Sequence, residues 1–147
     1  MTMHRRPLGR GRTLATVAGI LIVPGCVLQW WQVGGTPGVT PLSGNGLAGS
    51  GIVVFLVGIA TLALVALPYA AGDRPVGLDR WLTFAILLAA GWIGFAWRLV
   101  ELGLSDAFQF AEPADVVTHG PGIWIAGLGL IVLSRAVLEM AAEPARR

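Results

Sequence analysis

Arg80 to Leu104 reads RWLTFAILLAAGWIGFAWRLVELGL, and that stretch decides the fold class. It is apolar over a length that crosses the roughly 30 Å hydrocarbon core of a bilayer as one helix. Trp81 marks one end, and Trp97, Arg98 and Glu101 mark the other. At 100° per residue, Thr83, Leu87, Ala90, Gly94, Trp97, Arg98 and Glu101 fall on one side, with Trp81 and Trp92 opposite. The first stripe is mostly small and polar, as helix contacts in lipid tend to be, so Arg98 is expected to point into a bundle. Trp81 and Trp92 are expected to face lipid.

Composition agrees. Of 147 residues, 55% are hydrophobic and 12% charged, with mean hydropathy +0.75. A soluble domain carries about twice that charged fraction. No charged residue stands between Arg12 and Asp73, an interval that a water-facing fold does not tolerate. Three further apolar segments accompany the opening one. The spans expected are 13–33, 50–71, 81–102 and 121–138, between a basic leader (1–12) and a tail (141–147). The fold class expected is an all-α membrane protein, four transmembrane helices in an antiparallel up-down bundle. In the first span, Pro24 removes the amide that would bond Ile20, and Trp30 and Trp31 stand where a helix meets the interface.

Arginine sets the expected orientation. Every basic residue is Arg. Arg5, Arg6, Arg10 and Arg12, then Arg74 and Arg80, then Arg135, Arg146 and Arg147 all fall on one side of a four-pass chain. Excess Arg marks the cytoplasmic side, so both termini are expected in the cytoplasm. The absence of Lys and the Ala, Gly, Val and Leu content point to a GC-rich bacterial genome, hence a bacterial inner membrane. The lipid bilayer is then the first partner. A leader that rests on anionic lipid accounts for the basic balance without nucleic acid.

The loops are read next. Gly34 to Gly49, GGTPGVTPLSGNGLAG, is uncharged and rich in turn formers, so an irregular or re-entrant loop without regular structure is expected. Gly44, Gly46 and Gly49 satisfy G-x-G-x-x-G but lack the strand and βαβ setting that a dinucleotide site needs. Ser105 to Pro121 holds Asp106, Glu112, Asp115 and His119, too few ligands at this spacing to define a Ca²⁺ or Zn²⁺ centre. It reads as a solvated acidic surface.

Few residues invite chemistry. Arg98 and Glu101 are spaced to pair on one helix face. Counted from Trp81, Arg98 lies about 25 Å along the axis at 1.5 Å per residue, which places it at the outer rim. The pair is therefore expected to cap and orient the helix, with a ligand or partner contact as the alternative. Ser50 lacks the Gly two places earlier that an intramembrane serine protease motif requires, because Ala48 stands there. No His falls inside a span to ligate haem, and a single Cys excludes an internal disulfide. No catalytic set, metal or cofactor is expected.

Residues Val23-Pro24-Gly25-Cys26, behind arginines and an apolar run, resemble the cleavage region of a bacterial lipoprotein signal peptide. The resemblance implies a lipid-modified Cys26 and only three remaining spans. The apolar run continues past Cys26 to Trp31, which favours an intact helix. On the fourth span, Gly122, Ala126 and Gly129 form a small-residue stripe matched in kind to that on the third. With Thr83, Ala90, Gly94, Arg98 and Glu101 they are the expected packing or partner contacts. The function expected is a non-catalytic structural or accessory subunit, joined to a membrane-protein partner or to its own copies. A small oligomeric transporter or channel and a Cys26-lipidated anchor are the alternatives.

Overall fold

A computed structural model describes residues 9–34, 37–38, 40–70, 81–105 and 120–142. Its elements are α1 (Arg10–Val27), β1 (Gln29–Val33), β2 (Leu42–Asn45), α2 (Gly51–Ala70), α3 (Trp81–Gly103) and α4 (Pro121–Ala142). All four helices are long and apolar enough to cross a membrane. They pack as a bundle: α1 lies against α4 and α2, α2 against α3, and α3 against α4. The protein is mostly helical, and the expectation of an all-α chain is corrected by the β1–β2 hairpin at one end of the bundle.

That hairpin also corrects the first span, which stops at Val27 instead of reaching Val33. Leu28 is extended, with φ −65° and ψ 160°. The following Gln-Trp-Trp-Gln-Val combines aromatic and β-branched residues that suit a pleated surface. β1 pairs antiparallel with β2, Trp31 opposite Gly44, Gln32 opposite Ser43 and Val33 opposite Leu42. The expected structureless loop 34–49 therefore contains a regular strand, Leu42–Asn45. Hydropathy alone does not separate the end of an apolar helix from an apolar strand.

The register shifts between Gln29 and Trp31, leaving Trp30 as the extra residue of a bulge. A bulge bends its strand and re-aims a side chain. Here it sends Trp30 into the core, where it is fully buried. Trp30 meets the ring of Phe95 on α3 edge-on, centroids 5.5 Å apart. It is thus a plug at the bundle's end and not the interfacial belt residue expected from sequence.

The closest seam joins α1 to α4. A Cβ on Gly25 would stand 2.6 Å from the backbone N of Ala126, and one on Gly129 would stand 2.6 Å from Ile22. One on Gly11 would meet the side chain of Met140 and the carbonyl of Ala136. Small residues allow backbones to approach where lipid supplies no hydrophobic drive between helices. Around this seam Ala15, Ala18, Ile22 and Cys26 of α1 interleave with Ala126, Leu130, Leu133 and Ala136 of α4, all fully buried. Thr61 is the buried polar side chain of the described core, and its O–H donates to Val57 O on its own helix at 2.7 Å.

Candidate functional site: the hairpin end of the bundle

The polar side chains of the described bundle that reach between elements concentrate at the hairpin end. Arg98 Nη1 donates to Glu101 Oε2 at 3.0 Å, one turn along α3. The same carboxylate oxygen accepts the backbone N–H of Ser50 at 3.2 Å. Ser50 immediately precedes α2, whose first amides have no partners within the helix. A carboxylate there satisfies one of them and faces the positive end of the helix dipole. Glu101 thus serves α2 from α3, while Arg98 holds the carboxylate in place.

Gly49 completes this corner. Its φ is +59°, in the left-handed region that glycine enters without steric cost. A Cβ there would lie 2.6 Å from both Arg98 Nη1 and Glu101 Oε2, so the ion pair rests directly on the glycine backbone. The Arg98 side chain is 11% exposed and that of Glu101 34%, a half-sheltered position near the end of α3. Among the described residues, Arg98 Nε and Ser50 Oγ are buried beside the pair without a hydrogen-bond partner.

The end of α1 is capped by the chain that follows it. Pro24 O accepts Leu28 N–H at 2.9 Å, and Cys26 O accepts Gly46 N–H from the turn just after β2 at 2.9 Å. Between them, Gly25 O accepts the Trp30 indole N–H at 2.8 Å. Gly25 O and Cys26 O, last-turn carbonyls that would otherwise be orphaned, are satisfied by Trp30 of β1 and by the turn after β2. Glycines make the closure possible: Gly46 lies flat on the Trp30 indole and Gly44 on that of Trp31. Two members of the apparent dinucleotide pattern are therefore seats for tandem tryptophans, and the third carries the ion pair. Gly44 inside β2 fits the rule that a glycine in a strand marks close approach by another group.

The packing stripes fall as follows. On α3, Gly94 is buried against Val53 of α2, and Thr83 and Ala90 are half-buried. The helix is turned from the expected stripe. Phe84, Gly91 and Leu102 are buried, whereas Trp97 lies on the exposed side at 61%. Trp92 also departs from a purely lipid-facing role, its indole N–H donating to Ser134 Oγ of α4 at 3.1 Å. The stripe of Gly122, Ala126 and Gly129 is buried, but its partner is α1: Gly122 abuts Gly25 O and Leu28 O, and Gly129 abuts Ile22. It does not meet the small-residue stripe of α3.

Cys26 is fully buried in α1, its carbonyl engaged by the hairpin. Asp106, Glu112, Asp115 and His119 lie outside the described residues. Among the described residues no three His, Cys, Asp or Glu side chains gather as a metal site. Compared with protein-family models, curated proteins and solved structures, the chain matches none.

Proposed function

We propose that this chain is a non-catalytic structural or accessory subunit of a membrane assembly, built as an antiparallel up-down four-helix bundle. The observation that carries the reading is the outward face of α3. Only 17% of its apolar window is buried against the rest of the chain, compared with 39% for α1, 33% for α2 and 39% for α4. Ile86, Ile93, Trp97 and Val100 stand exposed along it. A helix so little used by its own bundle has the most surface to give to a neighbour. The polar groups at the hairpin end, by contrast, are spent on holding α2 and α1 within the chain.

A transport path would call for polar side chains near mid-membrane. The described core is filled by aliphatic and aromatic groups, with Thr61 bonded to its own helix, which weighs against that alternative. The lipidated-anchor alternative requires cleavage before Cys26 and hence loss of α1, the helix most closely fitted to α4. The Arg distribution supports both termini in the cytoplasm of a bacterial inner membrane. Purification from native membranes in mild detergent, followed by mass spectrometry of what accompanies the chain, tests the accessory reading. Recovery of the lone protein, free of partners, would overturn it. Reporter fusions at each terminus test the orientation independently.

A further inference from the structure

The outward face of α3 carries a regular row. Leu82, Ile86, Ile93 and Val100 are each more than half exposed. Ala89, Ala96 and Gly103 complete the row and are exposed as well. Steps of four and three residues alternate along it, so the pattern repeats every seven. One set of the repeat is β-branched, Ile86, Ile93 and Val100, and the other is small, Ala89, Ala96 and Gly103. A period of 3.5 residues is that of a helix wound left-handedly on another helix. Each large side chain then enters a hole made by four residues of the neighbour.

Gly103 adds a second observation. A Cβ there would enter open space, and its backbone is not left-handed. Neither packing among the described residues nor backbone shape calls for glycine at that position. From Leu82 to Gly103 the row rises about 32 Å at 1.5 Å per residue. That is the whole thickness of the roughly 30 Å hydrocarbon core. Contact with fluid lipid asks only for apolar surface and gives no reason to alternate branched and small residues in sevens. Small residues at that spacing let a second helix backbone come close.

From this repeat we infer that the chain forms a two-fold homodimer, the α3 helices of two copies packed in parallel along the row. The inference rests on the reading of α3 as the contact helix and names its occupant. Two copies inserted in one orientation meet with α3 parallel to α3, and a two-fold axis brings each residue of the row to its own counterpart. The surface must therefore complement itself. Branched residues in one set suit a two-stranded arrangement, and they enter holes lined by the Ala and Gly of the other set. Charge is compatible too, because any charge on the row would face its own copy. The row holds none: Arg98 and Glu101 lie off it and pair with each other.

Oxidative cross-linking in native membranes tests the dimer, because a single cysteine links to its own copy only where the two-fold axis passes. Ala89→Cys and Ala96→Cys are expected to give covalent dimers. Ile59→Cys on α2 and Leu128→Cys on α4, also exposed, are expected to stay monomeric. The native Cys26 is buried in all of them. Energy transfer between labelled copies in vesicles gives the second measurement. Ala96→Leu overfills a narrow layer and is expected to weaken association at least about tenfold. Ile59→Leu is expected to leave it unchanged. If Ala96→Leu does not fold, the cross-linking pattern decides alone. Equal linking at all four cysteine positions, or linking at none, overturns the dimer. If another protein is then recovered with the chain, the accessory reading stands without this inference, whereas a lone monomer overturns both.

Discussion

Glu101, near the end of α3, accepts the backbone amide of Ser50, 51 residues earlier at the mouth of α2. One carboxylate oxygen thus serves as helix cap and as partner to Arg98. The two roles are separable by substitution. Glu101→Gln keeps the shape and an acceptor but removes the charge, and is expected to lower the melting temperature in detergent. Arg98→Ala in the Glu101→Gln background is expected to cost less than Arg98→Ala alone, because the pair is coupled. Additive losses across this double-mutant cycle would show that the contact is incidental.

Gly49 beneath the pair gives a sharper expectation. Gly49→Ala introduces a Cβ at a left-handed backbone, costing about 1–2 kcal/mol before any clash with the ion pair is counted. Thermal or denaturant unfolding in detergent measures it. An unchanged or raised stability would mean that the turn relaxes to another conformation.

Trp30 has two duties that can be dissected. Trp30→Phe keeps most of the ring but leaves Gly25 O without its donor, an expected loss of about 1–3 kcal/mol. Trp30→Ala also opens a cavity against Phe95, for about 3–5 kcal/mol. Equal effects of the two substitutions would assign the whole contribution to the hydrogen bond.

Gly127 and Gly129, two residues apart on α4, are expected to respond in opposite senses. Gly129→Ala drives a methyl into Ile22 and the α1 backbone, an overpacking cost of about 1–3 kcal/mol. Gly127→Ala meets only ordinary contact with Phe95, so the gain in helix propensity over glycine, about 0.5–1 kcal/mol, is expected to dominate. Melting temperatures of the two variants should move apart. Parallel shifts would contradict the placement of α1 and α4.

The Cys26 thiol, fully buried, is expected to resist maleimide in the folded protein and to react after denaturation. The intact mass of the mature chain is expected to show no acyl modification there. A mass increase matching a diacylglyceryl group would restore the lipoprotein reading.

The four helices were legible because an apolar run of membrane length has few other physical solutions. What the sequence concealed lay where two structures share one composition. Gln29 to Val33 carries no turn former to separate it from the helix before it, and the strand emerges only through pairing with Leu42–Asn45. The i, i+3 spacing of Arg98 and Glu101 announced their pairing. Nothing local announced the Ser50 amide, since a cap supplied from another helix leaves no trace in neighbouring residues. Small-residue stripes on two helices likewise identified contact faces without naming their partners. The α4 stripe met α1 because the glycines of α1 supply the complementary recess.

The tightest seam in the described bundle joins the first of its four described helices to be synthesised to the last of them. Until α4 has been synthesised, Gly11 and Gly25 of α1 lack the backbone they are fitted to, and Cys26 and Ile22 lack their final neighbours. Closure of the bundle is therefore a late event in biogenesis. It depends on contacts of high sequence separation, which form slowly and reward the chain only when complete. Any substitution that delays α4 leaves α1 waiting in the bilayer, so quality control at the membrane would register α4 variants through the fate of α1.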